Sequence, residues 1–407
     1  MPVRSKTLFA LLAVWTCGSW ALHAAVDWPQ FRGPQRDGTA PAADLLPAWP
    51  AEGPAEVWRV PIGGGFSGIA VAENHLLTGF AEEGQEFVGA FDPSSGRLLW
   101  RAPIGPEFST EFGNGPRSTP AVDGELVFAL GSYGQLHAVK LADGSPVWSL
   151  DLTQAFGSAR PNWGFASSPM VDGDLLLIEA GGGAGKGIAA LDKQTGKVLW
   201  TALDNETGYS SPLVMTLGGV RQYVFMATKA DQLVALGMDG AMLWSHPWNT
   251  GTIAMPVVVG EDRIFVSAPN DVGAMLVQLV PKEGGGIEVR EVWRNREIKN
   301  HFSSSVAHGE YIYGFDVGSL KCISAATGET VWAKRGLGKG SLILAGDQML
   351  LLGDRGQVAL AVASPEGYQE LGTKQVFSDK TWTAPSLADG KLYLRNHHEM
   401  VCLNLKA

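Results

Sequence analysis

Six residues in this chain offer binding chemistry: Arg117, Trp163, Tyr209, His301, Lys339 and Trp382. Each stands a few positions ahead of a short apolar segment, among small residues, as in Arg117-Ser118-Thr119-Pro120 and Tyr209-Ser210-Ser211-Pro212. Arg117, His301 and Lys339 could hold an anionic group through charge-assisted hydrogen bonds, and Trp163, Tyr209 and Trp382 could stack on a flat one. Phe66 and Thr252 occupy comparable positions. If the apolar segments surround one axis, these side chains converge and form a small-molecule pocket at the rim of a funnel. If not, they are ordinary loop residues with solvated polar ends. Arg117 is the strongest anchor, because Pro116 and Pro120 restrict the backbone on either side of it.

Other candidate motifs are weaker. The run Gly181-Gly182-Gly183-Ala184-Gly185-Lys186-Gly187 resembles a phosphate loop only in part. Ala180 stands where the first Gly belongs, Gly187 stands where Ser or Thr belongs, and a strand follows instead of a helix. It reads as a hairpin. His397-His398-Glu399 offers two adjacent imidazoles, but neighbouring residues of a strand face opposite ways, so no metal site is expected. Asn205-Glu206-Thr207 is a glycosylation sequon, meaningful only in a host that glycosylates. No zinc spacing or nucleophile elbow occurs, and no catalytic residue is assigned.

The elements that must position these residues are set by a repeat. Trp58, Trp100, Trp148, Trp200, Trp244, Trp293 and Trp332 each end a strand-like segment, and Phe377 continues the series. The steps are 42, 48, 52, 44, 49, 39 and 45 residues. A period of this size denotes a propeller with one four-stranded blade per repeat. Five hairpins place Gly four residues before the Trp, at Gly96, Gly144, Gly196, Gly240 and Gly328. Glycine there supplies positive φ, and the strand alternation then fixes the face that carries the indole. The indoles themselves are expected in the seams between blades. Trp382 to Leu405 holds three strands but no outer Trp strand, whereas Ala55 to Val60 is an orphan Trp strand. Joining them closes a ring with no free sheet edge at the junction. The expected fold is therefore all-β: an eight-bladed propeller of four-stranded antiparallel blades over residues 51–407, closed by an N-terminal strand. Residues 26–50, rich in Pro and Ala, are expected to form an irregular lead lying across it.

Only 18% of the residues are charged and 52 are glycine, which suits a turn-rich β protein and argues against disorder. Residues 1–25 read as a secretory signal peptide, with Arg4 and Lys6 before the apolar run from Leu8 to Trp20. The protein is thus expected to be exported, periplasmic or extracellular. Trp15 fits poorly in a lipobox ahead of Cys17, so no lipid anchor is expected. Loss of Arg4 and Lys6 takes the net charge from −10 to −12, and nothing resembles a basic nucleic-acid footprint. No later stretch is long and apolar enough to span a bilayer. Cys322 and Cys402 share one repeat position in blades that are not adjacent, so both are expected as buried free thiols. A monomer is expected.

The pattern Ala-Leu-Asp-x-x-Thr-Gly-x-x-x-Trp, at Ala190 to Trp200 and echoed at Ala90 to Trp100, resembles the repeat of pyrroloquinoline-quinone (PQQ) propellers. The opening Asp27-Trp28-Pro29-Gln30-Phe31-Arg32-Gly33-Pro34 is similar to the start of secreted bacterial PQQ-like propellers. Two branches bear on function. BamB-like scaffold lipoproteins of outer-membrane protein assembly are similar in length and lack a cofactor. That resemblance implies a secreted or periplasmic binding or scaffold module whose partner is a protein or small-molecule ligand. Quinoprotein alcohol dehydrogenases hold PQQ over Ca²⁺ in the funnel, often beside a disulfide between adjacent cysteines. That resemblance would imply a PQQ-dependent oxidoreductase. This chain has no adjacent cysteine pair and no recognisable Ca²⁺ set, so no cofactor and no metal site is identified.

Overall fold

A computed structural model describes residues 27–41, 45–227, 232–248, 251 and 253–406. The leader, residues 1–25 with Cys17, and Thr252 lie outside the described residues. Eight antiparallel four-stranded blades surround a central axis. The innermost strand of blade 1 is Ile69–Ala72, and its outermost is Leu98–Pro106. Blades 2 to 7 repeat this order, ending with the outer strand Gln369–Gln375. Blade 8 takes its three inner strands from Ser386–Ala388, Lys391–Arg395 and Glu399–Asn404, and its outer strand from the N-terminal Ala55–Pro61. Ala55 pairs with Asn404 and Pro61 with Glu399, antiparallel, so the two ends of the chain complete one blade.

The apolar core is a ring of seams. Leu136 and Phe128 of blade 2 pack with Leu176 and Ile178 of blade 3. Met170 and Ala190 of blade 3 pack on the other side with Tyr223 and Val234 of blade 4. Each middle strand carries apolar residues on both faces because both faces are covered, and hence it reads as a near-continuous hydrophobic run.

The tryptophans bridge these seams. Trp58 Nε1 donates to the Pro93 carbonyl at 2.9 Å, Trp100 to Leu141 at 2.8 Å, Trp148 to Lys193 at 3.0 Å and Trp200 to Met238 at 2.9 Å. Trp293 reaches Ala325 and Trp332 reaches Ser364, both at 2.8 Å. In every case the acceptor lies in the next blade. The hairpin glycine now has a second cause besides its positive φ. A Cβ on Gly144 would stand 2.4 Å from the Trp100 ring, and one on Gly196 would stand 2.7 Å from Trp148. The residue is glycine because the preceding blade's indole lies on it. Trp244 departs from the pattern and donates to Gln222 Oε1 of its own blade at 2.6 Å. The hairpin it would meet in blade 5 is the longer one around Gly284-Gly285-Gly286.

Blade 7 corrects the repeat. Phe377 lies beyond the outer strand, fully buried, and does not hold the tryptophan register. Gly372 does, opposite Leu360 of the third strand. A Cβ there would stand 2.5 Å from Trp49 Cβ, and Trp49 N bonds the Leu371 carbonyl at 2.9 Å. The lead thus supplies from outside the blade the indole that blade 7 lacks.

The lead, expected as an irregular segment across the propeller, runs into the axis. Trp28 pairs with Val71 of blade 1, and the Val122 amide of blade 2 donates to the Pro29 carbonyl at 2.8 Å. Arg36 donates to Ser168 and Pro169 of blade 3 and to Pro212 of blade 4. Arg32 donates to Ser304 and Ser305 of blade 6. Thr39–Ala40 then forms a short parallel strand inside Ser341–Ala345 of blade 7. Trp28 and Arg36 are each 1% exposed, so this segment is packed as interior.

Cys322 and Cys402 are free and buried, as expected. Each lies in register with a tyrosine on one side and a tryptophan on the other: Tyr313 and Trp332, Tyr393 and Trp58. Burial pushes Cys322 up to about 11. Asn205 is 1% exposed, so the sequon offers no accessible acceptor. The glycine run is a hairpin in which Gly182 pairs with Lys186.

Candidate functional site

All six residues singled out above line one cavity on the axis, with a volume of about 360 Å³. The loops that enter the innermost strands bring them there. Arg117 precedes Ala121–Asp123, His301 precedes Val306–His308, and Trp382 precedes Ser386–Ala388. A propeller points these loops at its centre, so residues far apart in sequence, such as Phe112 and Trp382, become neighbours.

The walls are an aromatic collar. Tyr209 and Trp163 stand 5.0 Å apart between ring centroids. Trp163 meets Phe112 edge-on at 6.1 Å, and Phe112 meets Trp382 at 6.0 Å. Trp382 meets Phe302 at 5.0 Å, and Phe302 meets His301 edge-on at 5.5 Å. The Tyr209 hydroxyl accepts the Trp163 amide at 3.2 Å, which fixes one ring against the other. Burial of that hydroxyl raises its pKa. The lead forms the closed end, where Trp28, Phe31 and Arg32 also line the cavity.

The charged groups are all basic. Arg32, Arg117 and Lys339 line the cavity together with the imidazole of His301, and among the described residues no Asp or Glu does. This is notable in a chain of net charge −10. Lys339 Nζ lies 6.0 Å from the centroid of Trp382. Lys380 sits over the same ring at 4.7 Å and donates to the Phe112 carbonyl. His301 has its pKa lowered by burial and by the Lys339 charge, and its Nδ1 has no hydrogen-bond partner. Arg32 is pushed down to about 10 by burial, and its Nε also lacks a partner.

Arg117 does different work from the other three. Its guanidinium donates to the Gly115 carbonyl at 2.9 Å and to Thr110 Oγ1 at 3.0 Å. It lies between Phe66 and Phe108, at 5.0 and 5.2 Å from their centroids. These contacts hold the small hairpin of Ser109–Thr110 and Gly113–Asn114, which carries Phe112 to the mouth. The root of this insertion is tied by Glu86, which accepts the Phe108 and Ser132 amides at 3.3 and 2.8 Å. Arg117 is therefore a brace for one wall as well as a lining residue.

Sequence reasoning missed Phe112, Phe302 and the lead residues. Phe302 directly follows His301 and was within reach. Phe112 lies in the long connection between Trp100 and Arg117, whose extra length was a usable signal. The lead carries no periodicity, so nothing local marks Trp28 or Arg32. His397 is also drawn in near the mouth, 4.4 Å edge-on from Phe66, and burial pushes it down to about 4. His398 instead faces Asp379 at 3.4 Å, so the two imidazoles do not share a site.

A model of the family described as outer membrane protein assembly factor BamB matches residues 84–334. The chain belongs to the BamB family. The outer membrane protein assembly factor BamB of Shewanella oneidensis is 24% identical over 307 residues, which covers 71% of this chain and 73% of that one. The crystal structure of BamB from Moraxella catarrhalis superposes with a TM-score of 0.62 at 15% identity, covering 86% of this chain and 97% of the other. A quinohemoprotein alcohol dehydrogenase from Pseudomonas putida HK5 reaches the same TM-score of 0.62 at 13% identity, over 93% of this chain and 80% of that one. At these identities the two structural likenesses speak for the propeller fold alone.

The residues present do not fit a PQQ held over Ca²⁺. Such an ion takes six to eight oxygen ligands, with carboxylates prominent among them. Among the described residues, the cavity lining has no carboxylate. Among the described residues, no group of three or more His, Cys, Asp or Glu is placed to hold a metal ion.

Proposed function

We propose that this chain is an exported binding module that acts in the assembly of outer-membrane proteins. Its partner on this reading is a polypeptide, and its place of work is the periplasm, reached through the leader of residues 1–25. Membership of the BamB family supports this reading. The structural observation that carries it is a band of aliphatic side chains around the perimeter. The residue immediately before the rim tryptophan is exposed in blade after blade: Val57 at 43%, Leu99 at 39%, Val147 at 41%, Leu199 at 48%, Val292 at 43% and Val331 at 43%. Each lies on an outer strand whose far edge has no pairing partner within the ring. Unpaired edges with apolar side chains are suited to an extended polypeptide, with the main chain giving affinity and alternate side chains giving preference.

The test is genetic and quantitative. A host lacking this gene should lose a measurable fraction of its outer-membrane β-barrel proteins by quantitative mass spectrometry, and the intact gene should restore them. A variant with Val147→Glu and Leu199→Glu should fold and fail to restore them. An unchanged β-barrel content in the deletion strain would overturn the reading. Dye-linked alcohol oxidation on adding PQQ and Ca²⁺ to the purified protein would replace it with the oxidoreductase alternative.

A further inference from the structure

We propose that the axial cavity is a binding site for a small, flat aromatic carboxylate, independent of any polypeptide held at the perimeter. Three observations converge on this ligand chemistry. The first is the collar. Its rings are not packed into a closed core, since they line about 360 Å³ of space, and Trp163 is 37% exposed. Open aromatic faces at this density suit a flat ring, by offset or edge-on stacking. The second is the sign of the charge. Among the described residues, every charged side chain that lines the cavity is basic, and no carboxylate lies in the lining. The basic groups attract an anion, and they repel a cation except where it can rest on an aromatic face, as Lys380 does on Trp382.

The third observation is the set of unused donors. Most buried polar atoms in folded proteins have a hydrogen-bond partner, so the exceptions call for a cause. Arg32 is 7% exposed and lines the closed end of the cavity, and its Nε–H has no partner. Its other nitrogens are taken by the Asp37, Ser304 and Ser305 carbonyls. His301 Nδ1 is buried and has no partner either, and it is a donor in the tautomer that carries the proton there. The ammonium of Lys339 rests over Trp382, and among the described residues its Nζ has no hydrogen-bond or ion-pair partner. A carboxylate offers about four lone-pair sites, enough to engage more than one of these groups at once. The closed end also favours a small ligand. The lead blocks the axis there, so the molecule must enter and leave at the mouth, past Phe112 and Trp382. Cavities of this volume enclose ligands of modest size, largely desolvated.

The proposal is tested by isothermal titration of the full mature chain with three probes. These are 2-naphthoate, its neutral counterpart 2-naphthalenemethanol, and cyclohexanecarboxylate, which is anionic but not flat. Naphthoate is expected to bind once per chain with a submillimolar Kd. Each of the other two should be weaker by about tenfold or more, the ratio expected from loss of one charge-assisted bond or one stacking contact. Lys339→Met should weaken naphthoate by about tenfold and leave the alcohol unchanged. Phe302→Leu should weaken naphthoate and the alcohol alike. Melting curves confirm that each variant is folded, and Lys339→Gln serves if Lys339→Met is not. Absence of saturable naphthoate binding overturns the proposal. So does equal affinity for naphthoate and the alcohol, or a Lys339 variant that is folded and binds naphthoate as the parent does. None of these outcomes bears on the β-barrel content that tests the scaffold reading.

Discussion

The perimeter and the axis of this propeller are held together by opposite kinds of chemistry. At the perimeter, neutral indoles cross from blade to blade, each giving one N–H to one main-chain carbonyl. Each junction is local, and its neighbours repeat it. Near the axis, three buried guanidiniums take a leading part in the joining. Arg32 and Arg36 tie the lead to blades 3, 4 and 6. Arg395 of blade 8 reaches Thr78 and Gly79 of blade 1 at 2.9 and 2.6 Å, across the seam where the ring closes. Burial pushes Arg36 and Arg395 down to about 9, and neither hydrogen-bonds a carboxylate. Main-chain carbonyls do the work of counterions. The difference teaches where redundancy lies. A perimeter junction is one of several alike, whereas each axial arginine gathers several main-chain carbonyls at a place that the repeat does not copy.

The comparison can be broken most forcefully where the two regions share a segment. Deleting residues 26–60 removes the closing strand, Trp49, Trp58 and both lead arginines together. Total stabilities are about 5–15 kcal/mol, so the truncated chain should aggregate and give no cooperative melting transition. A monomer that melts within a few degrees of the parent, by size exclusion and calorimetry, would show that neither region depends on this segment.

Single substitutions weigh the regions separately. Trp58→Ala removes a buried perimeter indole and should cost about 3–5 kcal/mol in urea unfolding. Arg36→Met should cost about 2–4 kcal/mol, because it leaves the Ser168, Pro169 and Pro212 carbonyls without their donor in a dry environment. If Arg36→Met proves neutral or stabilising, the buried cation is offset by its own desolvation, and its role is to fix the path of the lead.

A pH series sharpens the contrast with a buried acid. Glu179 in blade 3 is pushed up to about 8 by burial, with Asn205 Nδ2 at 3.3 Å from its carboxyl. The folded state therefore holds a proton that the unfolded state releases near pH 4.5. Its contribution is full below that pH, declines as pH rises towards about 8, and is flat beyond. Glu179→Gln should raise the melting temperature at pH 8 and leave it nearly unchanged at pH 5. A parallel shift at both values would assign the effect to packing instead. The smallest effect belongs to Arg117→Ala, about 1–2 kcal/mol, since it loosens one surface hairpin and leaves the seams intact. Loss of proteolytic protection confined to residues 109–114 would be its signature.

The same division explains what could be read from the residues alone. Perimeter features repeat, so Trp58, Trp100 and Gly144 announce one another at a fixed offset, and the fold and the closing strand follow from that spacing. The six rim residues were legible because a propeller dictates where its inner loops point. Axial features do not repeat. Arg32 and Arg36 bond main-chain carbonyls more than 130 residues away, and a carbonyl has no residue type to recognise. The substitution of Trp49 for a blade 7 tryptophan was hidden for the same reason. Phe377 stands near the expected position in sequence, whereas the true occupant comes from a segment outside the repeat.

The junction of Ala55–Pro61 with Glu399–Asn404 also sets an order of events in time. A chain made and delivered from its N-terminus presents the closing strand first and its partner last. Until the final segment arrives, residues 55–61 have nothing to pair with, and blade 1 has an uncovered flank where blade 8 belongs. The intermediate blades can form from neighbours in sequence as they emerge, but the last step joins the most distant parts of the chain and is the slow kind of contact. The growing molecule is thus an open, sticky arc for most of its synthesis and becomes a ring only at the end. Slippage of the closing strand onto another chain's unfinished blade would link two molecules, so the route to a lone ring depends on keeping unfinished arcs apart.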